Sequence, residues 1–173
     1  MRKFLLYFSL LILVSLISFI LFVNPQPIRF ESVKISGAAS ISIPEYLSKT
    51  DSIDPAAALQ YKNEKEQLFL LIYEKKDTIN LQPEVLFKKF SDDLIARIGH
   101  CNLVKYFPKQ IGSHQAVIGN IRGIVNETGV YYRIAVISSE SAYYEVLFGV
   151  SENRFGTYDE DMNRILDSFS TAP

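Results

Sequence analysis

The sequence predicts an α+β domain, a mainly antiparallel sheet flanked by helices, preceded by one N-terminal transmembrane helix. Three observations lead there. An uncharged apolar run starts at Phe4 and stops at Val23, directly behind Arg2 and Lys3. Four strand-like stretches in the second half of the chain follow one another through short turns, and strands joined in that way pair antiparallel. Two amphipathic helical stripes, one opening at Gln82 and one closing the chain, supply layers for the faces of such a sheet.

Residues 4–23 are long enough to cross a bilayer, since twenty residues at about 1.5 Å each reach roughly 30 Å, the thickness of its hydrocarbon core. Sixteen of the twenty are Leu, Ile, Phe or Val, and at about −0.4 kcal/mol apiece they favour insertion by roughly 6 kcal/mol before the serines are counted. A cleaved secretory signal has a shorter apolar region and small residues just before the cut. Here Leu21, Phe22, Val23, Asn24 and Pro25 follow instead, so residues 1–23 read as a retained anchor or uncleaved signal, with cleavage as the alternative. The one cysteine, Cys101, lies far downstream, which excludes lipid anchoring at a cleavage site. A short basic N-terminus normally stays in the cytoplasm. The chain from Asn24 onward is therefore expected in the periplasm or outside the cell, as the exported part of a single-pass membrane protein.

Residues 24–29, with Pro25 and Pro27, read as a stiff linker, because proline lacks a donor and disfavours helix in the residue before it. Residues 30–173 suffice for one domain with its own core. Setting aside Arg2 and Lys3 leaves 16 basic and 19 acidic residues, a formal charge of −3. No Lys/Arg cluster exceeds Lys75-Lys76 or Lys88-Lys89, so nucleic acid is not an expected partner. A lone cysteine forms no intramolecular disulfide, and Cys101 is expected as a small buried hydrophobe.

In chain order, residues 28–36 and 40–43 alternate apolar side chains at Val33, Ile35, Ile41 and Ile43 around Gly37-Ala38-Ala39, which predicts two short strands. Pro44 stops the second, and residues 44–49 are expected to form a helical turn that sends Tyr46 and Leu47 inward. Strands at 57–62 and 67–74 flank a charged turn, and because residues 68–73 are apolar on both faces the second strand belongs mid-sheet. Pro83, in a first turn where its missing donor costs nothing, and Gly99 bound a helix whose Leu86, Phe87, Phe90, Leu94 and Ile98 recur at spacings of three and four. Strands follow at 103–111, 115–125, 130–138 and 142–150, the first pushed to an edge or a bulge by Pro108. Thr157 and Glu160 have capping-box spacing ahead of the closing stripe of Tyr158, Met162, Ile165, Leu166 and Phe169. Residues 170–173 are expected to fray.

Three stretches carry a resemblance. They are Ser40-Ile41-Ser42-Ile43-Pro44-Glu45-Tyr46-Leu47, the hairpin from Leu59-Gln60-Tyr61 to Leu70-Leu71-Ile72-Tyr73, and the run from Val130-Tyr131-Tyr132-Arg133 through Tyr143-Tyr144-Glu145-Val146 to Asp167-Ser168-Phe169. Together they resemble the PsbP-like superfamily, which joins PsbP-like proteins of photosystem II, a Ran-binding nuclear import factor and bacterial PsbP-related or DcrB-like envelope proteins. The resemblance spans most of residues 30–169 and implies an α/β/α sandwich with binding or assembly roles and no catalysis. It transfers no functional residue, because every matched position is a packing position. Exported relatives are often lipoproteins or have cleaved signals, so a retained anchor is a departure.

Motifs that carry chemistry are scarce. His100, Cys101 and His114 are too few and too scattered for zinc, which takes about four ligands, and neither a metal nor a cofactor is expected. The chain has no Gly-x-Ser-x-Gly elbow, His-Glu-x-x-His pair, phosphate-binding glycine loop or Cys-x-x-Cys pair, so no catalytic residue is named. Asp92-Asp93 reads as helix surface, and Asp159-Glu160-Asp161 as first-turn acids that favour the helix dipole. Asn126-Glu127-Thr128 fits the glycosylation pattern and reads first as a turn. Tyr131, Tyr132, Tyr143 and Tyr144 are the candidates for partner contact. Neighbours in a strand face opposite sides, so one tyrosine of each pair could lie near a surface, while core packing under a covering helix is the plainer reading.

The expected function is that of a membrane-tethered, non-enzymatic extracytoplasmic domain, anchored through residues 4–23, that binds a protein partner or supports assembly. The alternative is a small envelope hydrolase or ligand-processing enzyme with a site assembled from sequence-distant residues. A deep pocket with converging polar groups favours the enzyme, and a shallow surface with exposed tyrosines the binding domain.

Overall fold

The computed structural model describes residues 27–36, 39–76 and 82–171. Residues 1–26, 37–38, 77–81 and 172–173, and with them the predicted anchor and residues 24–26 of the predicted linker, lie outside that range. Among the described residues no helix is long and apolar enough to cross a membrane. In chain order the elements are β1 (Phe30–Ser36), β2 (Ala39–Pro44), β3 (Ser48–Lys49), β4 (Leu59–Asn63), β5 (Leu68–Lys75), α1 (Pro83–Ile98), β6 (Cys101–Ile111), β7 (His114–Val125), β8 (Thr128–Ser138), β9 (Tyr143–Ser151), α2 (Phe155–Asp167) and β10 (Ser170–Thr171).

The main sheet has seven strands in the order β3-β4-β5-β9-β8-β7-β6, antiparallel throughout. β5 lies inside it and is buried on both faces from Leu70 to Tyr73, as its unbroken apolar run requires. β6 is one edge strand and the short β3 the other. Pro108 and a register shift between Leu103 and Lys105 both fall on β6, where a missing donor or an extra residue disturbs only one ladder.

The single sheet expected from the sequence is in fact two. β1, β2 and β10 form a separate three-stranded sheet. Ser170 pairs with Ser40 and Thr171 with Ala39, so these two residues do not fray. A two-residue strand has no periodicity by which the sequence could announce it. What holds it is tertiary: Ser40 Oγ lies 2.9 Å from Ser170 Oγ, and the Ser42 N–H donates to Ser168 Oγ at 2.8 Å.

One helix covers each face of the main sheet. α1 lays Leu86, Phe87, Phe90 and Leu94 on Val117, Ile121, Ile134, Val136 and Leu147. On the other face α2 brings Met162, Ile165 and Leu166, together with Ile41 and Ile43 of β2, against Leu70, Ile72, Ile118, Val146 and Phe148. Each such side chain, once buried, contributes about 1.5–3 kcal/mol, so these two layers dominate the stability. α1 keeps the bounds that Pro83 and Gly99 set. Gly99 ends it at φ 88°, and its N–H donates to the Ile95 carbonyl at 2.9 Å.

Two local expectations are corrected. Residues 44–49 make one hydrogen-bonded turn, in which the Leu47 N–H donates to Pro44 O, and then extend as β3 to pair with Tyr61 and Lys62. Leu47 is buried and Tyr46 packs against the core, as their apolar character demands. Thr157 caps nothing, because a 3-10 turn (Glu152–Arg154) leads straight into α2 at Phe155. The Phe155 ring stacks on Tyr131 with centroids 3.6 Å apart, which favours the helix beginning two residues before the predicted cap.

Candidate functional site

At one end of the main sheet the β4–β5 turn (64–67) and the β7–β8 turn (126–127) border a cleft of about 440 Å³. A second hollow of about 530 Å³ adjoins it, sharing Gln67, Thr128 and Ser151 and reaching Arg154. The cleft floor is apolar and lies on the α1 face of the sheet, where Phe69 and Tyr132 stand 6.2 Å apart beside Val130. Gly149 makes this floor possible, because a Cβ at that position would occupy the space of the Phe69 ring. Ile53 forms a wall, and buried Gln60 holds it there. The Gln60 Oε1 accepts from the Ile53 and Asp54 N–H groups at 2.9 and 3.0 Å, while its Nε2 donates to Asp54 O at 2.6 Å.

Backbone strain collects at this end. Among the described residues, Gln67 (φ 49°), Asn126 (φ 47°) and Glu127 (φ 63°) are the non-glycine positions with positive φ, and all three line the two hollows. The left-handed conformation costs an L-residue about 1–2 kcal/mol, less for asparagine. Two successive positive-φ residues are what a tight hairpin turn needs to match the twist of its strands. Strain of this kind is tolerated where the surrounding structure holds it, often at sites of function.

Ion pairs line the rim. Lys62 meets Glu64 at 2.7 Å and Arg122 meets Glu152 at 2.9 Å, while Arg154 pairs with Glu66, which also accepts from the Tyr158 hydroxyl at 2.9 Å. Glu127 has no ion-pair partner among the described residues, so the rim carries one carboxylate in excess. Apart from Glu127, the charged groups of the rim thus neutralise one another around an apolar floor.

The four tyrosines do not form an exposed row. Tyr131 and Tyr144 face α2 and are buried, the first against Phe155 and the second against Phe169 at 5.0 Å. Tyr132 and the half-buried Tyr143 face α1. The alternation expected within a strand is present, but both faces are covered. Burial raises the hydroxyl pKa of Tyr131, Tyr132 and Tyr144 above the ordinary value, which keeps them neutral. Tyr132 is the one of the four that lines the cleft.

The remaining candidates lie apart. His100 is exposed and Cys101 buried at the start of β6, whereas His114 begins β7 at the opposite end, edge-on to Phe169 with centroids 5.3 Å apart. Among the described residues no cluster of three or more His, Cys, Asp or Glu is placed to hold a metal. Asp92 pairs with Lys88 on the helix surface at 2.7 Å. Asp159 and Asp161 are not first-turn acids. Because α2 starts early, they lie further along it, where Asp161 accepts from the Tyr46 hydroxyl at 2.9 Å and Asp159 pairs with Arg133. Burial, followed by the Asp161 hydrogen bond, raises the Tyr46 pKa.

Comparison with known proteins gives the fold a name. No protein-family model and no curated protein matches the chain. Solved structures do. Cyanobacterial PsbP (CyanoP) from Synechocystis sp. PCC 6803 superposes with a TM-score of 0.67 at 10% identity, covering 86% of this chain and 95% of that one. The Saccharomyces cerevisiae Ran-binding protein Mog1p gives 0.61 at 10% identity, with 83% and 96% covered. LpqN, involved in cell envelope biogenesis of Mycobacterium tuberculosis, gives 0.58 at 12% identity, with 88% and 95% covered. The chain therefore has a PsbP-like fold, shared with a Ran-binding factor. At these identities the likeness concerns architecture.

Proposed function

We propose that this chain is a non-enzymatic binding or assembly-support domain, held outside the cytoplasm by residues 4–23, and that it engages a protein partner at the cleft. The cleft itself carries this reading: an apolar floor, strained turns on both sides and a rim of ion pairs suit a docked side chain. A hydrolase needs a nucleophile or acid–base pair aimed at one point, and the floor of Phe69, Val130 and Tyr132 supplies apolar surface instead. The likeness to a Ran-binding protein and to a protein of envelope biogenesis supports a binding role in the envelope.

Two measurements on the full chain test it. Alkaline carbonate washing of native membranes is expected to leave the protein in the pellet, with a C-terminal reporter active only outside the cytoplasm. Release into the wash, or a cytoplasmic reporter signal, removes the tether. Tagged chain cross-linked in cells is expected to co-purify a partner that Ile53→Asp loses, since this change puts a charge on the cleft wall without touching the core. Undiminished capture by Ile53→Asp removes the cleft from the proposal.

A further inference from the structure

The cleft lies at the end of the domain where the chain arrives from the apolar run, and this relation narrows the occupant. Val23 and Arg29 are six residues apart, which at full extension spans about 20 Å. Arg29 O accepts from the Glu45 N–H at 3.0 Å, and one residue on, Tyr46 O accepts from Asn63 Nδ2 at 3.0 Å. Asn63 is part of the cleft wall. The point of entry and the cleft are thus joined by two hydrogen bonds. The β6–β7 turn at Gly112-Ser113 lies at the other end of the sheet, about 35 Å away for strands of eleven residues.

We propose that the cleft receives the extended stretch of a neighbouring membrane-spanning protein where it leaves the bilayer, with apolar side chains on the floor and a lysine or arginine at Glu127. The inference rests on the tether proposed above. The short linker confines the cleft to the zone within a few tens of ångströms of the membrane, where such stretches are found. Two adjoining hollows of about 440 and 530 Å³ suit a segment running from one into the other. The unpaired Glu127 carboxylate gives the outer hollow its sign. A lipid surface is the poorer fit, because interfacial binding uses projecting apolar groups among basic ones, whereas this floor is recessed and its rim has an acid in excess.

The test uses the full chain in its native membranes, with a photo-cross-linking residue at Thr128 in the cleft mouth or at Ser113 in the far turn. From Thr128 the captured peptide is expected to map within about ten residues of an apolar span in another protein and to contain a lysine or arginine. Glu127→Lys is expected to lower that yield about fivefold, as reversal of an exposed charge pair does, and to leave capture from Ser113 unchanged. Capture of lipid alone, of a second copy of this chain, or of a soluble protein from Thr128 overturns the proposal, as does no capture there. Carbonate release of the chain overturns the tether and this inference with it. Retention in the membrane with protein captured only from Ser113 overturns this inference and leaves a tethered binding domain standing.

Discussion

Arg133 Nη2 and Asp159 Oδ1 meet at 2.6 Å between β8 and α2, with the arginine side chain 8% exposed and the aspartate 45%. The guanidinium also donates to Asn120 Oδ1 at 3.2 Å and Asn163 Oδ1 at 2.7 Å, and lies 5.2 Å from the Phe155 ring centroid. So many partners on one buried cation make it a pin that sets α2 on the sheet.

Removing the acceptor leaves the pin's charge uncompensated. Asp159→Ala is expected to cost about 1–3 kcal/mol, less than the loss of a fully buried partner because water reaches the site. Arg133→Met leaves the buried Asn120 oxygen without its donor and is expected to cost a similar amount. Urea unfolding of both single variants and the double variant should return a coupling above about 1 kcal/mol, and strict additivity would show that the pair does not act as a unit.

Glu127 sits at φ 63°, in a two-residue turn for which glycine is the favoured second residue. Glu127→Gly is expected to stabilise the fold by about 0.5–1 kcal/mol, relief of left-handed strain outweighing the entropy that glycine adds to the unfolded chain. The same change should weaken partner capture. Equal or lower stability in urea would mean that the turn holds glutamate without strain.

Gly149→Ala drives a methyl group into the Phe69 ring, which must turn aside into the cleft. A loss of about 1–3 kcal/mol is expected, together with loss of capture at Thr128. Gly123→Ala is the sharper control, because its methyl would lie 2.5 Å from the His100 carbonyl oxygen, which is backbone and cannot swing away. It should cost more than Gly149→Ala, and because Gly123 pairs with Val130 it tests backbone crowding beside the cleft floor.

Glu145 lies half-buried on the α1 face, and burial raises its carboxyl pKa above the ordinary 4.5, Asp93 adding to the rise while Lys75, Lys89 and Arg97 oppose it. A raised folded value means that the group's contribution is fully present below pH 4.5 and is lost as pH rises through the folded value. Glu145→Gln, which stays neutral, is therefore expected to melt a few degrees higher than the native chain at pH 7. Near pH 4 the two curves should converge. A lower melting temperature for the variant at pH 7 would mean that the surrounding cations outweigh burial.

Local signals in the sequence were enough for the elements that depend on neighbours within one turn or one strand. Pro83 and Gly99 bound α1, Pro108 marks an edge strand, and unbroken apolarity puts β5 inside the sheet, because helix capping, ladder donors and side-chain alternation act over a few residues. The tyrosine pairs show where that reach stops. Alternation assigned Tyr131 and Tyr132 to opposite faces, but α1 and α2, brought in from other parts of the chain, determined that neither face was open.

The site belongs almost wholly to the tertiary structure. Ile53 comes from the β3–β4 connection and Phe69, Tyr132 and Ser151 from three different strands, and no spacing among them signals a cleft. Arg133 gave one hint, a charge within an apolar strand, but its partner Asn120 lies 13 residues earlier on the next strand, and Asp159 and Asn163 lie 26 and 30 residues further on. By itself the sequence determined the antiparallel main sheet with its two helices, the apolar character of the core and the apolar leader, but not the separate sheet of β1, β2 and β10. Only folding decided which apolar faces were covered and which hollow stayed open, because that depends on contacts between elements whose separation along the chain carries no periodic signal.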